Sequence, residues 1–166
     1  MSRRLIGLDV PVFPDRRTIK IQDSVIEPES GSPLPAVGAL ISVNRDQLWI
    51  GSLQDHIQAR LTLEEWDGAP ANGSDGWDEE AKAELYLRGQ LTIDMGSAGR
   101  AVQSLRLVGG VGRYATRVYA RNREQVAYLY HQLFDRYCDP LGDEFACAKR
   151  ELEGIEHYLV QLWRDL

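Results

Sequence analysis

Apolar and polar residues alternate with a period of two over much of this chain. The segment 57–63 follows this pattern, and so do 83–87 and 91–95. Because successive side chains of a β-strand point to opposite faces of a sheet, the pattern predicts strands with one buried and one solvated face. Apolar residues between turn formers predict further strands over 18–24, 39–43, 47–51, 102–108 and 114–120.

Turn-forming residues separate these segments. Asn44-Arg-Asp46 predicts a hairpin between 39–43 and 47–51, and Met95-Gly-Ser-Ala-Gly99 predicts another. Gly89 predicts a turn or a bulge. Gly109-Gly-Val-Gly112 predicts a tight reversal between the strands at 102–108 and 114–120, because glycine adopts the positive φ angles that such a reversal requires.

The apolar period changes to three and four residues after Asn122, which predicts an amphipathic helix with Asn122 as its N-cap. A second short helix is predicted over 143–153, with Gly154 just beyond it. The segment 155–163 returns to extended character and predicts a final strand. We therefore expect a helical insertion at about 122–153.

These elements predict one mainly β domain spanning residues 1–166. Short strands at this spacing favour a two-layer antiparallel β-sandwich, with a helical excursion before the C-terminal strand. No β-α-β alternation is present in the pattern, which argues against a Rossmann-type fold.

Composition narrows the range of partners. The net charge is −6 and the pI is about 5.1, so the molecule as a whole repels nucleic acid.

No stretch approaches the roughly 20 apolar residues that cross a bilayer, and we expect no membrane span. The two cysteines, Cys138 and Cys147, lack the spacing of a zinc site or a redox motif, and free thiols are typical of the cytoplasm.

The sequence predicts no catalytic centre, metal site or cofactor. His56, His131 and His157 stand on different predicted elements without metal-ligand spacing. A Gly-x-Ser-x-Gly nucleophile motif is missing, and the glycines at 109–112 precede a strand rather than a helix N-terminus that could receive a phosphate. A non-enzymatic function is therefore favoured.

Acidic residues concentrate between Leu61 and Ala81, where no Lys or Arg occurs. Aromatic residues flanked by charge are typical of interaction hot spots, so this edge is the predicted binding site for a basic protein. Alternatively, Trp66 and Trp77 fill the end of the sandwich and the carboxylates solvate the loop. The predicted partner-binding residues are Trp66, Asp67, Trp77, Asp78, Glu79 and Glu80.

Arginines recur at alternate positions in and beside the strand predicted over 114–120. Such a stripe could bind an anionic ligand. It could also be a solvated face that pairs with Glu84 or Asp94 across the sheet. The residues of this candidate ligand face are Arg113, Arg117, Tyr119 and Arg121. Together with Tyr86 and Trp49 they would line a small-molecule or carbohydrate site, which could also be that of an enzyme.

Three short segments carry a family likeness: Ile19-Lys-Ile-Gln-Asp23, Asp75-Gly-Trp-Asp-Glu-Glu80 and Tyr158-Leu-Val-Gln-Leu-Trp163. They resemble a group of small actinobacterial β-sandwich proteins of unassigned function. Arg164 stands where those proteins carry a proline, and the helical stretch 122–153 is longer than their usual connection. More distantly, the arrangement resembles the competence-J type inhibitor of a DNA-entry nuclease, which implies the same fold and a role in binding another protein.

We expect a cytoplasmic, non-catalytic binding module of the inhibitor or immunity type. A small-molecule or carbohydrate-binding protein is the first alternative. A self-assembling structural subunit is the second, with an interface on the helix over 122–137, which carries Tyr128, Tyr130, Phe134 and Tyr137.

Overall fold

The structure is a computed structural model that describes residues 1–25, 34–73 and 75–165. Ser74 of the predicted acidic edge lies outside the described residues. The elements are β1 (Arg4–Val12), β2 (Thr18–Asp23), β3 (Ile41–Asn44), β4 (Gln47–Gly51), β5 (Ala59–Trp66), β6 (Glu79–Asp94), β7 (Arg100–Arg121), α1 (Arg123–Arg136), α2 (Asp143–Glu151) and β8 (His157–Arg164), with a short 3-10 turn at Gly96–Ala98.

The strands of the described residues form one sheet in the order β1-β5-β8-β7-β6-β2-β4-β3. The predicted mainly β fold, with a helical segment before the last strand, is confirmed. Neighbouring strands are antiparallel as predicted, except β5 and β8, which are parallel. Strand β8 enters between β5 and β7 and runs antiparallel to β7, which fixes its direction relative to β5.

The sheet curves so that strands far apart in its order approach each other. Ser52, just after β4, hydrogen-bonds to Glu156, just before β8, at 2.5 Å, although three strands separate β4 from β8 in the sheet. One apolar core therefore receives side chains from both ends of the sheet. Its fully buried members include Ile19, Ile21, Leu48, Ile50, Leu61, Leu63, Leu85, Leu87, Tyr114, Val118, Tyr158 and Val160.

The two longest strands, β6 and β7, form a hairpin with a bulge, in which residues 107–110 of β7 lie opposite Gly89 of β6. This glycine has a φ of 92°, and the strand register shifts between its neighbours Arg88 and Gln90. The sequence-based prediction of a turn or bulge is confirmed as a bulge. The hairpin predicted at Met95–Gly99 is also confirmed, because β6 and β7 pair on either side of it.

The tight reversal predicted at Gly109–Gly112 is wrong, because β7 runs through these residues as one strand. The extra residues of the bulge bend the strand at this point. Both carboxylate oxygens of Glu65 hold the bend, since they accept hydrogen bonds from the backbone N–H groups of Val108 and Gly109 at 2.8 and 2.7 Å. Glycine permits the local φ angles, and the contact from β5 stabilises the bend.

Helix α1 begins after Asn122, at the predicted N-cap position. Asn122 has a left-handed φ of 64°, and its side-chain amide donates to the Ile155 carbonyl at 3.0 Å instead of capping the helix. The two helices pack over a second apolar cluster formed by Ile57, Val126, Leu133, Phe145 and Leu152. In the described part of the chain, no helix is both long and apolar enough to cross a bilayer.

Candidate functional site

One side of strands β5, β7 and β8 carries polar and aromatic side chains. These residues alternate with the core residues of the same strands and therefore point to the opposite side of the sheet, which we call the outer face. The register places Arg117 opposite Gln161 and Tyr119 opposite Leu159. Members of the outer face are Thr62, Arg117, Tyr119, Arg121, His157, Gln161 and Trp163.

The connection between β5 and β6 lies over this face. We call it the acidic loop, described over 67–73 and 75–78. The Gly73 N–H donates to the hydroxyl of Tyr119 at 2.9 Å, and Arg117 donates to the Ala71 carbonyl at 3.4 Å. Only 5% of Tyr119 and 7% of Arg117 remain exposed. The predicted acidic edge and the predicted arginine stripe are therefore two layers of one structure.

Trp77 attaches the end of the acidic loop to the outer face. Its ring lies 4.9 Å from the guanidinium carbon of Arg121 and 5.0 Å from the ring centroid of His157. The ring of Tyr119 lies 5.8 Å away. Cation–π and aromatic contacts of this kind contribute about 0.5–1.5 kcal/mol each. Trp77 thus fixes the loop and does not belong to the apolar core of the sheet.

His157 joins three strands of the outer face. Its Nδ1 lies 3.0 Å from Nη2 of Arg121, and its Nε2 lies 2.9 Å from the hydroxyl of Thr62. Arginine can only donate, so Nδ1 is the acceptor and the ring proton sits on Nε2. Burial, and after it the nearby charges of Arg121 and Arg60, lower the pKa of His157 to about 4, against a smaller opposing effect of Asp9. The imidazole is therefore neutral near pH 7.

Two carboxylates of the predicted site are paired with cations. Glu79 accepts from Nη1 of Arg123 at 2.8 and 2.9 Å. Glu80 lies 3.7 Å from Nε of Arg117 and 4.0 Å from the ammonium of Lys82. These ion pairs tie the start of β6 to β7 and α1, and they reduce the negative charge that Glu79 and Glu80 present to solvent.

Three other carboxylates of the loop remain exposed, those of Asp67, Asp75 and Asp78. Asp67 accepts from the Arg3 N–H at 2.7 Å, and Asp78 accepts from the Asn122 N–H at 2.7 Å. Within the ranges that the structure describes, none of the three forms an ion pair with Lys or Arg. Asp67 and Asp78 belong to the partner-binding residues predicted from the sequence, and the structure adds Asp75 to them.

Trp66 lies at the other end of the loop and is half-buried. Its Nε1 donates to Glu64 at 2.9 Å, and Gln161 donates to the same carboxylate oxygen at 3.0 Å. Arg113 lies apart from the loop contacts, with a predominantly exposed side chain 3.5 Å from Glu84. Of the four arginine-stripe residues, Arg117, Tyr119 and Arg121 therefore meet the acidic loop and Arg113 does not.

A buried carboxyl group that sequence reasoning missed lies at the start of β8. Glu156 is 0% exposed and accepts from Ser52 at 2.5 Å, from Gln54 at 2.7 Å and from the hydroxyl of Tyr158. Burial raises the pKa of Glu156, against the opposing effect of these three hydrogen bonds. Because the group is enclosed, it joins the segment after β4 to the start of β8 rather than meeting a substrate.

No family model matches the chain, and no curated protein matches its sequence. Two solved structures share its fold. One is ComJ, the inhibitor of the DNA-degrading activity of NucA from Bacillus subtilis, with a TM-score of 0.57, 8% identity and 99% of each chain covered. The other is the product of crocagin biosynthetic gene J, with a TM-score of 0.54 and 13% identity, covering 100% of this chain and 99% of that one.

The resemblance to the competence-J type inhibitor is thus confirmed at the level of fold. At these identities the likeness shows the fold alone, and the residues of the acidic loop acquire no role from it.

Proposed function

We propose that this protein is a non-catalytic binding module of the inhibitor type, whose acidic loop docks on a basic surface of another protein. The proposal rests on one observation: the acidic loop is fixed in position but still presents negative charge to solvent. It is fixed to the outer face at several points, yet Asp67, Asp75 and Asp78 are exposed and pair with no Lys or Arg among the described residues.

A fixed loop favours binding because little conformational entropy is lost when a partner docks. Trp77, through Arg121 and His157, holds one end of the loop. The hydrogen bond from Gly73 to Tyr119 holds its middle, and the Asp67 contact with the Arg3 N–H holds the other end. In this proposal Trp77 is a positioning residue, and so are Glu79 and Glu80 through their ion pairs.

The exposed carboxylates supply the attraction. Opposite charges accelerate diffusional encounter and make the association sensitive to salt. Trp66, half-buried at the edge of the loop, supplies apolar area of the kind that interface hot spots use. Glu79 and Glu80, already paired, contribute less to the charge that a partner meets.

The fold likeness supports a role of the inhibitor type. ComJ inhibits the DNA-degrading activity of NucA, so a protein of this fold can act by binding another protein. An inhibitor that covers the surface of its target needs no reactive centre. We also propose a cytoplasmic location, supported by Cys138 and Cys147, which are free and exposed.

The test is capture of partners from an extract of the source organism by three immobilised proteins. The first is the wild type and the second carries Asp67→Asn, Asp75→Asn and Asp78→Asn, which remove charge but keep the oxygen acceptors. The third is a matched control that removes three exposed carboxylates from the helical segment, Asp135→Asn, Glu151→Gln and Glu153→Gln.

We expect a protein that wild type and control retain equally and that the loop variant retains at least about tenfold less. Equal retention by all three proteins, or no specific retention by any, would remove the acidic loop as a docking surface.

A second candidate function is self-assembly through the 122–137 helix. Tyr128 and Phe134 are 63% and 48% exposed, which favours it, although Phe134 also packs against Phe145 within the molecule, as do Tyr130 and Tyr137. Mass measurement in solution tests this candidate. A dimer that Phe134→Lys converts to a monomer would support it, and a wild-type monomer at high concentration would exclude it.

A further inference from the structure

A cavity of about 380 Å³ lies where the β1–β2 turn, β4 and the end of β6 meet. Its volume falls in the range of roughly 300–1,000 Å³ that is typical of small-molecule sites. Trp49 lies on one side, and Asp15, Arg16, Lys20, Asp94 and Gly96 also line it. The acidic loop contributes no residue to this lining, so the inference below is independent of the proposed function.

Both carboxylates of the cavity are held in place by the turn between β6 and β7. Asp15 accepts from the Ser97 N–H at 3.0 Å, and Asp94 accepts from the Gly96 N–H at 2.7 Å. Gly96 has a φ of 61°, and a Cβ atom there would lie 2.3 Å from Oδ2 of Asp15. Only glycine therefore allows Asp15 to approach the turn this closely.

The β1–β2 turn brings Asp15 and Arg16 to the cavity. Arg16 and Arg17 have φ values of 51° and 64°, in the left-handed region that costs energy for a residue with a Cβ atom. The Thr18 hydroxyl closes the turn by donating to the Asp15 carbonyl at 3.0 Å. The positions of the carboxylate of Asp15 and of the backbone of Arg16 are thus fixed by a compact turn.

The tryptophan of the cavity is also oriented. Its Nε1 donates to Gln47 at 3.1 Å, and the ammonium of Lys20 lies 4.9 Å from the ring centroid. The same ammonium is 4.0 Å from the carboxylate of Asp94. Trp49 is only 8% exposed, so it contributes a small, fixed apolar part of the wall beside a charged donor and a charged acceptor.

The charges of the lining balance, because two carboxylates, Asp15 and Asp94, face two cations, Arg16 and Lys20. A ligand with net charge would meet a like charge for each opposite one. A hydroxyl group both donates and accepts hydrogen bonds, so it can use the carboxylates and the cations alike. From this we infer that the cavity binds an uncharged, hydroxyl-rich small molecule of about the size of a monosaccharide, with some of its C–H groups toward Trp49.

The test is a titration followed by ¹H–¹⁵N correlation spectra of the full chain. The uncharged probes are glucose, N-acetylglucosamine, myo-inositol and trehalose, and the charged probes are glucose 6-phosphate, glucosamine and arginine. We expect at least one uncharged probe to shift the Trp49 indole N–H and the Gly96 and Ser97 amides in a saturable manner. Shifts from charged probes alone, or from none, would overturn the inference.

Two variants and one control test the geometry. Asp15→Asn removes a charged acceptor, and Gly96→Ala displaces Asp15, so each should weaken the binding of the responding probe by about tenfold or more. Gly99→Ala is the matched control, because Gly99 lies in the same turn with a φ of 94° but no atom lies within 4 Å of an added Cβ. Unchanged binding in Asp15→Asn and Gly96→Ala would place the probe elsewhere and overturn the assignment.

Discussion

Arg121 and His157 lie side by side on the outer face, where Nη2 of the arginine donates to Nδ1 of the imidazole at 3.0 Å. Trp77 contacts both side chains, at 4.9 and 5.0 Å. The acidic loop is therefore attached to a pair of residues that must keep one particular protonation state. A protonated imidazole would turn this hydrogen bond into a contact between two cations.

Acid should weaken the folded state through His157. Its pKa is about 4 in the folded protein and 6.5 in the unfolded chain, so folding favours the neutral form. The stabilisation is complete above pH 6.5 and is lost as the pH falls from 6.5 to about 4. Over this window, we expect the free energy of unfolding to fall by on the order of 2–3 kcal/mol more in wild type than in His157→Gln.

Chemical denaturation at several pH values measures this difference. The exposed His131 provides the control, because His131→Gln should retain the acid sensitivity of the wild type. A His157→Gln curve parallel to the wild type from pH 7 to pH 4 would show that the imidazole is not held neutral.

Removing the hydroxyl of Tyr119 should release the middle of the acidic loop. The Gly73 N–H donates to this hydroxyl at 2.9 Å, so Tyr119→Phe leaves the amide open to solvent. We expect the Gly73 amide to exchange about fivefold to tenfold faster, which corresponds to a hydrogen bond of about 1 kcal/mol. Hydrogen exchange by NMR measures it, with Tyr128→Phe as the exposed control. The same exchange rate in both variants would argue against the contact.

The buried carboxyl of Glu156 should make the protein less stable as the pH rises. Burial raises its pKa above the ordinary 4.5, so folding favours the protonated form. The contribution is greatest below pH 4.5 and declines as the pH rises through the folded pKa, by at most about 1.4 kcal/mol per pH unit. Glu156→Gln should remove this decline with pH. Any change in stability that the substitution causes equally at all pH values does not affect the comparison.

Glu153→Gln is the matched control for Glu156, since Glu153 lies three positions away and is exposed. Unfolding free energies from pH 4.5 upwards would be compared among the three proteins. Curves of identical slope for wild type and Glu156→Gln would mean that Glu156 does not titrate differently on folding.

The bend of β7 should depend on Glu65. Its two carboxylate oxygens accept from Val108 and Gly109, and only 1% of the residue is exposed. Glu65→Ala leaves two backbone donors without acceptors and should cost about 2–4 kcal/mol, measured by urea denaturation. Glu84→Ala, which removes an exposed carboxylate, should cost less than about 1 kcal/mol. Similar losses in the two variants would contradict this role for Glu65.

The strands and helices could be predicted because each depends on a local period. The alternation in 57–63 and the three-to-four spacing after Asn122 report one buried face each, whatever that face packs against. The bend at Gly109–Gly112 could not be predicted, because glycines permit either a reversal or a bend. The bend is stabilised by Glu65, more than 40 residues away in sequence.

The contact between the acidic loop and the arginine stripe could not be predicted from the sequence, for the same reason. Each could be recognised from its composition, but only the sheet register places Tyr119 and Arg121 beneath Gly73 and Trp77. In the sequence, His157 is an isolated histidine. The alternation of β8 could have placed it on the outer face, but not beside Arg121, which requires the β7–β8 pairing.

The most direct test of the docking proposal is the salt dependence of the association rate constant for a captured partner. We expect the association rate constant to fall steeply between 50 and 500 mM salt for the wild type. It should fall equally for the control variant Asp135→Asn, Glu151→Gln, Glu153→Gln. The Asp67→Asn, Asp75→Asn, Asp78→Asn variant should associate more slowly at low salt and depend less on salt. Identical rates and identical salt dependence for all three proteins would contradict the proposal.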